Sequence, residues 1–155
     1  MKKAISLILA VMLLSAVSFS QNSAARSKEF NLSKNNIGIQ GYDPVAYFTA
    51  GKAVKGKKEL AVYADGVTYY FSSAETKELF KKNYKAYEPQ YGGWCAYAMG
   101  AKGEKVEVDP ATFKILDGKL YLFYNAFFNN TLKSWNKDEV NLRSKADNHW
   151  KSIFH

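Results

Sequence analysis

The sequence predicts an α+β domain: two antiparallel β-hairpins packed with several short helices and a C-terminal helix. Asp65-Gly66 and Asp117-Gly118 each separate two runs rich in β-branched and aromatic residues, which is the typical signal of a two-residue hairpin turn. Apolar residues recur at helical spacing between the hairpins and again after the second one. Because no crossover helix separates the strands of either pair, we expect antiparallel sheets.

The first 20 residues are typical of a secretory signal peptide. They combine a basic start, an apolar run over residues 4–17 and small residues before Gln21, and a second cleavage position follows Ala25. The apolar run is shorter than the about 20 residues that span a bilayer, and no later stretch approaches that length. We therefore expect an exported protein, periplasmic or extracellular, with no transmembrane segment once the signal is removed.

The remaining chain is expected to hold a leader and one domain. Residues 21–36 are polar and rich in Ser, Asn and Lys, so they are predicted to form a flexible leader. Removing 20 of the 155 residues leaves 135, and single domains most often have about 100–150 residues. Residues 37–155 are therefore assigned to one domain.

The chain is basic, with a net charge of +8, and subtracting Lys2 and Lys3 of the signal leaves +6. The lysines are dispersed among acidic residues, and the densest basic run lacks the interleaved aromatic residues of a groove for single strands. We therefore expect no nucleic-acid partner and interpret most of this charge as a solvated surface.

The first half of the domain is predicted to be a short helix, a hairpin and a second helix. Asp43-Pro44 suits an N-cap followed by the first helical position, so a helix should run through Phe48. The hairpin over residues 60–71 follows. Ser72 and Glu75 then have the spacing of a capping box. That helix should end before Pro89, with an apolar face made of Leu79, Phe80, Tyr84 and Tyr87.

The second half should contain a buried helix, a hairpin and a long helix. Trp94–Met99 follows a Gly-Gly pair and is predicted to be a short buried helix. Asp109-Pro110 repeats the cap-plus-proline pattern before the hairpin over residues 113–124. Residues 136–154 should form the C-terminal helix, capped by Asn136, with an apolar face made of Leu142, Ala146, Trp150 and Ile153 or Phe154.

Cys95 is the only cysteine, so it has no partner for an internal disulfide. Its thiol is either buried packing or part of a chemical site. In the first turn of a helix the dipole would favour a reactive thiolate, and the candidate bases are His149 and His155. Met99, four residues later, could join Cys95 in holding a soft ion such as Cu(I). A free cysteine also packs well as a small hydrophobe.

The residues around Cys95 indicate a small pocket. Tyr42, Asp43, Gln90 and Tyr91 lie in two segments that combine glycine with aromatic residues, and they are the candidate neighbours of Cys95 in a ligand site. Asp43 also has a simpler interpretation as a helix cap, and the tyrosines as core packing. No catalytic residue is assigned, and the chain contains no nucleophile-elbow, phosphate-loop or zinc-type spacing.

Several ordered segments resemble the YHS domain family, in its exported single-domain branch. The core of the likeness is Tyr69–Ser73 with a short helix to Phe80 and then Tyr87. Further segments of similarity are Gly41–Phe48, Tyr91–Ala98, Asp109-Pro110, Gly118–Leu122 and Trp150. The resemblance covers about residues 38–150, nearly all of the expected mature chain.

The resemblance implies an association with heavy-metal handling, for example of copper. Metal-associated members of the family carry two cysteines, with three residues between them, directly after a Tyr-Phe pair. Ser72 and Thr76 stand at those positions here, and hydroxyl groups are poor ligands for soft metals. The family's metal role therefore does not carry over at these two positions, and Cys95 is the one candidate metal ligand.

Together these observations predict a secreted or periplasmic binding module rather than an enzyme. Its ligand would be a copper-type metal ion or a small molecule bound near Cys95. One alternative is a thiol-dependent redox protein or enzyme that uses Cys95. Another is a structural interaction protein of the cell envelope in which Cys95 only packs.

Overall fold

A computed structural model describes residues 22–154 and confirms the α+β class. Its helices are α1 (22–29), α2 (Ala46–Thr49), α3 (Ala74–Lys82), α4 (Ala96–Lys102), α5 (Thr131–Trp135) and α6 (Glu139–Ile153). Its strands are β1 (Leu32–Ser33), β2 (Ile37–Gly38), β3 (Lys57–Ala64), β4 (Val67–Phe71), β5 (Asp109–Leu116), β6 (Lys119–Phe123), β7 (Asn125–Ala126) and β8 (Asn129–Asn130). The proposed signal peptide, residues 1–20, lies outside the described residues.

The first predicted hairpin is β3 and β4, which pair antiparallel and form one side of a four-stranded sheet. Asp65 and Gly66 make the turn with φ of 45° and 92°, the left-handed conformation that a tight primed turn requires. On the other side of β4 lies β2, paired in parallel, and β1 is at the edge. The alternate residues Val67, Tyr69 and Phe71 of β4 point into the core, as a strand with one buried face should.

The second predicted hairpin is β5 and β6, turned at Asp117-Gly118. The prediction of a helix cap at Asp109-Pro110 is wrong, because both residues belong to β5. The Asp109 carboxylate accepts hydrogen bonds from the Ala111 N–H and the Thr112 hydroxyl, at 3.0 and 2.8 Å. These bonds hold a local irregularity in the strand register between Asp109 and Phe113, so no helix starts here.

Helix α3 begins one residue later than predicted. Ser73 is its N-cap, and Thr76 completes the capping box instead of Glu75. The reason is that Ser72 is engaged elsewhere, by the Asp43 carboxylate. The helix also ends earlier, at Lys82, and a 3-10 turn over Tyr84–Ala86 follows it.

The segment predicted to be a flexible leader is ordered from residue 22 onwards. Helix α1 covers residues 22–29, and β1 and β2 follow it directly. Arg26 is only 5% exposed and pairs with Glu88 on the body of the domain. Ser27 donates a hydrogen bond to the Gly66 carbonyl in the first hairpin turn, at 3.0 Å. The N-terminal segment is therefore part of the domain.

Helix α6 confirms the predicted C-terminal helix, although Asp138 rather than Asn136 is its N-cap. Its buried residues Leu142 and Ala146 pack against α4. The contact is close at Gly100, where an added Cβ would lie 2.4 Å from the Leu142 carbonyl oxygen. Among residues 22–154, no helix combines the length and the apolar run needed to cross a membrane.

The buried side chains form two adjoining clusters. One joins the first sheet to the second hairpin and contains Tyr47, Tyr69, Phe71, Phe80, Cys95 and Leu122. The other joins β6 to the later helices and contains Tyr91, Met99, Phe123, Trp135, Leu142 and Ala146. Cys95 precedes α4 and lies where the two clusters meet.

Candidate functional site

The candidate residues predicted from the sequence occupy separate environments. Cys95 lies at the base of a pocket whose lining includes none of Tyr42, Asp43, Gln90 and Tyr91. Asp43 belongs to a buried polar cluster with Ser72 and Thr76. The five residues therefore do not line one common pocket among the described residues.

Asp43 holds two distant segments together. It has no exposed surface, and its Oδ1 accepts hydrogen bonds from the N–H groups of Val45 and Ala46, at 2.9 and 3.3 Å. Its Oδ2 accepts from the Ser72 N–H, the Ser72 hydroxyl and the Thr76 hydroxyl, at 2.8, 2.6 and 2.7 Å. With five donors aimed at it, the carboxylate is fully satisfied and performs a structural role at these positions.

Tyr91 and Gln90 lie in a 3-10 turn over Gln90–Gly93. Tyr91 is 3% exposed, and its hydroxyl donates to Asp147 on α6 at 2.9 Å. Burial, reinforced by this hydrogen bond, raises the pKa of Tyr91 well above its ordinary value. Tyr42 is half-buried, and the Lys55 ammonium lies 4.2 Å from the centre of its ring. The Tyr91 hydroxyl therefore links the 3-10 turn to α6, and Tyr42 contacts the segment that contains Lys55.

The Cys95 sulfur is buried but has polar neighbours. Its Sγ accepts a hydrogen bond from the Tyr124 N–H at 3.3 Å and lies 3.4 Å from the Thr131 Oγ1. The one hydroxyl hydrogen of Thr131 is donated to the Tyr124 carbonyl at 2.8 Å. With that hydrogen committed to the carbonyl, the Cys95 S–H is the donor in the contact with Thr131.

No candidate base contacts this thiol among residues 22–154. His149 lies on α6, and its Nδ1 is 2.7 Å from the Met99 carbonyl oxygen. Because a carbonyl oxygen only accepts, Nδ1 carries the hydrogen, and His149 closes the C-terminal part of α4. His155 lies outside the described residues. The arrangement at Cys95 is that of a structural cysteine whose sulfur is fixed by two hydrogen bonds.

A pocket of about 330 Å³ opens above Cys95. One wall is the outer face of α4, and the opposite wall comes from the segment between β6 and α5. Its apolar lining is Tyr97, Ala98, Ala101, Val106 and Tyr124, and its polar lining is Lys102, Glu104, Asn129 and Thr131. This size and mixture are those of a site for a small organic molecule with one polar group.

The pocket depends on local features of the chain. Cys95 N–H donates to the Val106 carbonyl at 2.9 Å, which ties the segment after α4 back to the start of that helix. Gly103 ends α4 in the left-handed conformation, at φ 70°, and so permits the return. Opposite, the Thr131 N–H donates to the Tyr124 carbonyl at 3.0 Å and closes the β7–β8 hairpin.

The sequence predicted the base of this pocket but missed its walls. Tyr97 and Ala98 follow Cys95 in the same segment, and helical spacing could have placed Ala101 and Lys102 beside them. Asn129 lies in the β7–β8 pair, and Tyr124 and Thr131 lie directly before and after that pair, for which the sequence carries no turn signal. These residues could not have been found without the tertiary structure.

The described residues offer no cluster for a metal ion. No group of three or more His, Cys, Asp or Glu side chains comes together among residues 22–154. Met99, the second ligand considered from the sequence, is completely buried in the cluster with Trp135. Cys95 therefore has no described second ligand of the kind a soft metal ion prefers.

Comparison of the chain with family models, curated proteins and solved structures gave no match. The likeness to the YHS family stays a prediction that rests on the motifs of the sequence.

Proposed function

We propose that this chain is an exported, YHS-like binding module whose ligand is a small organic molecule held in the pocket above Cys95. The observation that carries the proposal is the pocket itself, with its apolar walls and four polar residues around a fixed thiol. Because no metal-binding cluster forms among the described residues, the proposal is restricted to a small molecule.

The lining indicates which ligand chemistry fits. Tyr97 and Tyr124 offer aromatic surface, and Ala98 and Val106 leave room for a flat apolar body. Asn129 can both donate and accept hydrogen bonds, Lys102 can donate to a carbonyl or carboxylate, and Glu104 can accept from a hydroxyl or N–H group. A single aromatic ring with a hydroxyl, N–H or carboxylate group fits a volume of about 330 Å³.

Binding of three ring compounds tests this proposal. Indole, p-cresol and benzoate would be added at millimolar concentrations while the backbone amide shifts of the protein are recorded by NMR. We expect at least one compound to shift amides of α4 together with that of Thr131. Ala101→Trp, at the exposed rim of the pocket, should abolish these shifts because the indole ring fills the space.

The matched control is Ala86→Trp, an exposed alanine outside the pocket lining. This variant should bind the compounds as the wild type does. Absence of shifts with all three compounds, or equal shifts in Ala101→Trp and wild type, would remove the proposed site.

Alkylation of Cys95 tests the alternative of a thiol-dependent enzyme or redox protein. The thiol has no exposed surface and donates its hydrogen to Thr131, so iodoacetamide at neutral pH should leave the folded protein unmodified. Denaturant should then give one adduct by mass spectrometry, because the chain has a single cysteine. Native alkylation as fast as that of free glutathione would instead favour the thiol-dependent alternative.

A further inference from the structure

Two phenylalanine side chains project fully into solvent at the tip of a hairpin. β7 and β8 pair at Asn125 with Asn130 and at Ala126 with Asn129, so Phe127 and Phe128 form the entire loop. Their exposures are 92% and 111%. Exposing two adjacent aromatic rings to water opposes the hydrophobic effect that stabilises the rest of the domain.

The backbone at the same two residues is also unfavourable. Phe127 and Phe128 have φ of 51° and 63°, the left-handed conformation of a primed turn. Asn-Gly is the pair that this turn favours, and a bulky residue there is an outlier. Neither the exposed rings nor the left-handed backbone of these residues favours folding. Residues that oppose folding in this way are most often found at functional sites.

The chain segment that carries the tip has lysines and no acidic residue. The sequence contains no Asp or Glu from Gly118 to Lys137. Lys133, exposed on the short helix α5, follows β8 closely, and Lys137 is exposed after it. Lys102 and Glu104 both line the neighbouring pocket, where their charges offset each other. Without Lys2 and Lys3 of the proposed signal the chain carries +6, so an anionic surface complements both the molecule and this segment of it.

The apolar area at the tip is small. Two phenylalanine side chains offer at most about 500 Å², whereas a stable protein interface uses roughly 800 Å² from each partner. The strand residues on either side of the loop include Asn125, Asn129 and Asn130, which are polar, so the two rings are the apolar part of the hairpin tip. A narrow aromatic tip on a segment with lysines and no acidic residue has the shape and chemistry of a group that enters the interface of a bilayer.

We propose that Phe127 and Phe128 insert into the interfacial layer of a membrane that contains anionic phospholipids, with Lys133 and Lys137 near the headgroups. This proposal is independent of the ligand of the Cys95 pocket. The aromatic rings supply burial, and the lysines supply an attraction that salt weakens. In the membrane-bound state the two rings are buried among lipids, which accounts for their exposure and strained backbone in the free protein.

Co-sedimentation with vesicles tests the proposal. The processed protein, checked by mass spectrometry to lack the apolar run over residues 4–17, would be mixed with vesicles of phosphatidylcholine, alone or with an equal part of phosphatidylglycerol. We expect it to sediment with the anionic vesicles and less so at high salt. Phe127→Asn combined with Phe128→Gly should weaken partitioning at least about tenfold.

This double variant is chosen because it should not harm folding. Asn-Gly is the preferred pair for the turn, so thermal unfolding should occur at or above the wild-type temperature. Tyr63→Asn is the matched control, since Tyr63 is a 68% exposed aromatic residue on β3 of the first hairpin, outside β7 and β8, and should leave partitioning unchanged.

Three results would overturn the proposal. The first is equal partitioning of the Asn-Gly variant and the wild type. The second is failure of the wild type to bind either kind of vesicle. The third is a wild type that is dimeric and lipid-free while the variant is monomeric, which would assign the tip to a second copy of this chain.

Discussion

At the scale of single residues, two identical dipeptides behave differently. Asp43-Pro44 and Asp109-Pro110 both resemble a helix start in the sequence. Asp43 does bond the N–H groups at the start of α2, yet its other oxygen gathers donors from Ser72 and Thr76. Those donors lie 29 and 33 positions away, so no local pattern could have revealed them.

Asp43→Asn should destabilise the domain by about 3 kcal/mol or more. The NH₂ group of the asparagine would face the Ser72 N–H and hydroxyl, which are themselves donors. These buried groups would then lose their acceptor. The free energy of unfolding, measured by urea denaturation and circular dichroism, checks this value.

Asp109→Asn is the matched control, because Asp109 accepts only from Ala111 and Thr112 and is partly exposed. We expect this variant to lose less than about 1.5 kcal/mol. An equal loss in both variants would show that the Asp43 cluster has no special structural weight.

At the scale of elements, helix α1 is the main departure from the sequence-based prediction. Its composition is that of a solvated segment, but Arg26 reaches a buried site in which Glu88 also accepts from the Tyr69 hydroxyl at 2.8 Å. Burial opposes the charge of Arg26, yet the hydrogen bond and the charge of Glu88 prevail and raise its pKa. An ion pair that spans 62 positions leaves no local signal.

Arg26→Met should cost about 3–5 kcal/mol, because it leaves the buried Glu88 carboxylate without its cation. The free energy of unfolding gives the cost, and limited proteolysis should cut within residues 22–29 of this variant first.

The double variant Arg26→Met with Glu88→Gln removes both charges and should recover much of the loss. If Arg26→Met alone costs less than about 1 kcal/mol, α1 does not anchor the N-terminal segment to the domain.

The elements that could be predicted are those with a signal inside a few residues. Both hairpins were found because Asp-Gly supplies the left-handed turn, and α6 because its apolar face repeats over four turns. The shift of the α3 cap from Ser72 to Ser73 was not predictable, since both serines suit a cap and only Asp43 decides between them.

At the scale of the whole molecule, buried tyrosines link stability to alkaline pH. Burial raises the pKa of Tyr47, Tyr69 and Tyr91 well above the unfolded value of 10.0. The folded state therefore keeps these protons while the unfolded chain releases them. Their contribution to stability is complete below about pH 10 and is lost as the pH rises above it.

We expect alkaline unfolding to coincide with a steep rise in tyrosinate absorbance. Loss of far-ultraviolet circular dichroism, followed in parallel, tests whether the two events are coupled. Tyr91→Phe should weaken the pH dependence, since it removes one of the tyrosines whose pKa is raised in the folded state. A wild-type free energy of unfolding that stays constant from about pH 9 to pH 12 would contradict the expectation.

The candidate site was predicted only in its centre. The sequence drew attention to Cys95 as a single cysteine in an aromatic segment, and the structure places this residue in the lining of a pocket. Asp43 and Tyr91 are polar or aromatic for structural reasons, and sequence alone cannot separate such residues from ligand contacts. The opposite wall of the pocket depends on the pairing of β7 with β8 and on the hydrogen bond from Thr131 to Tyr124. Both are properties of the assembled fold.

The absence of a side chain at Gly100 allows α4, which forms one wall of the pocket, to pack closely against α6. Helix α4 turns Gly100 towards α6 and turns Ala98 and Ala101 towards the pocket. A single methyl group at position 100 would meet the Leu142 carbonyl and drive the two helices apart. During synthesis α4 leaves the ribosome before α6, so the Gly100 side of α4 stays exposed to water until residues 139–153 have been made and have packed against it.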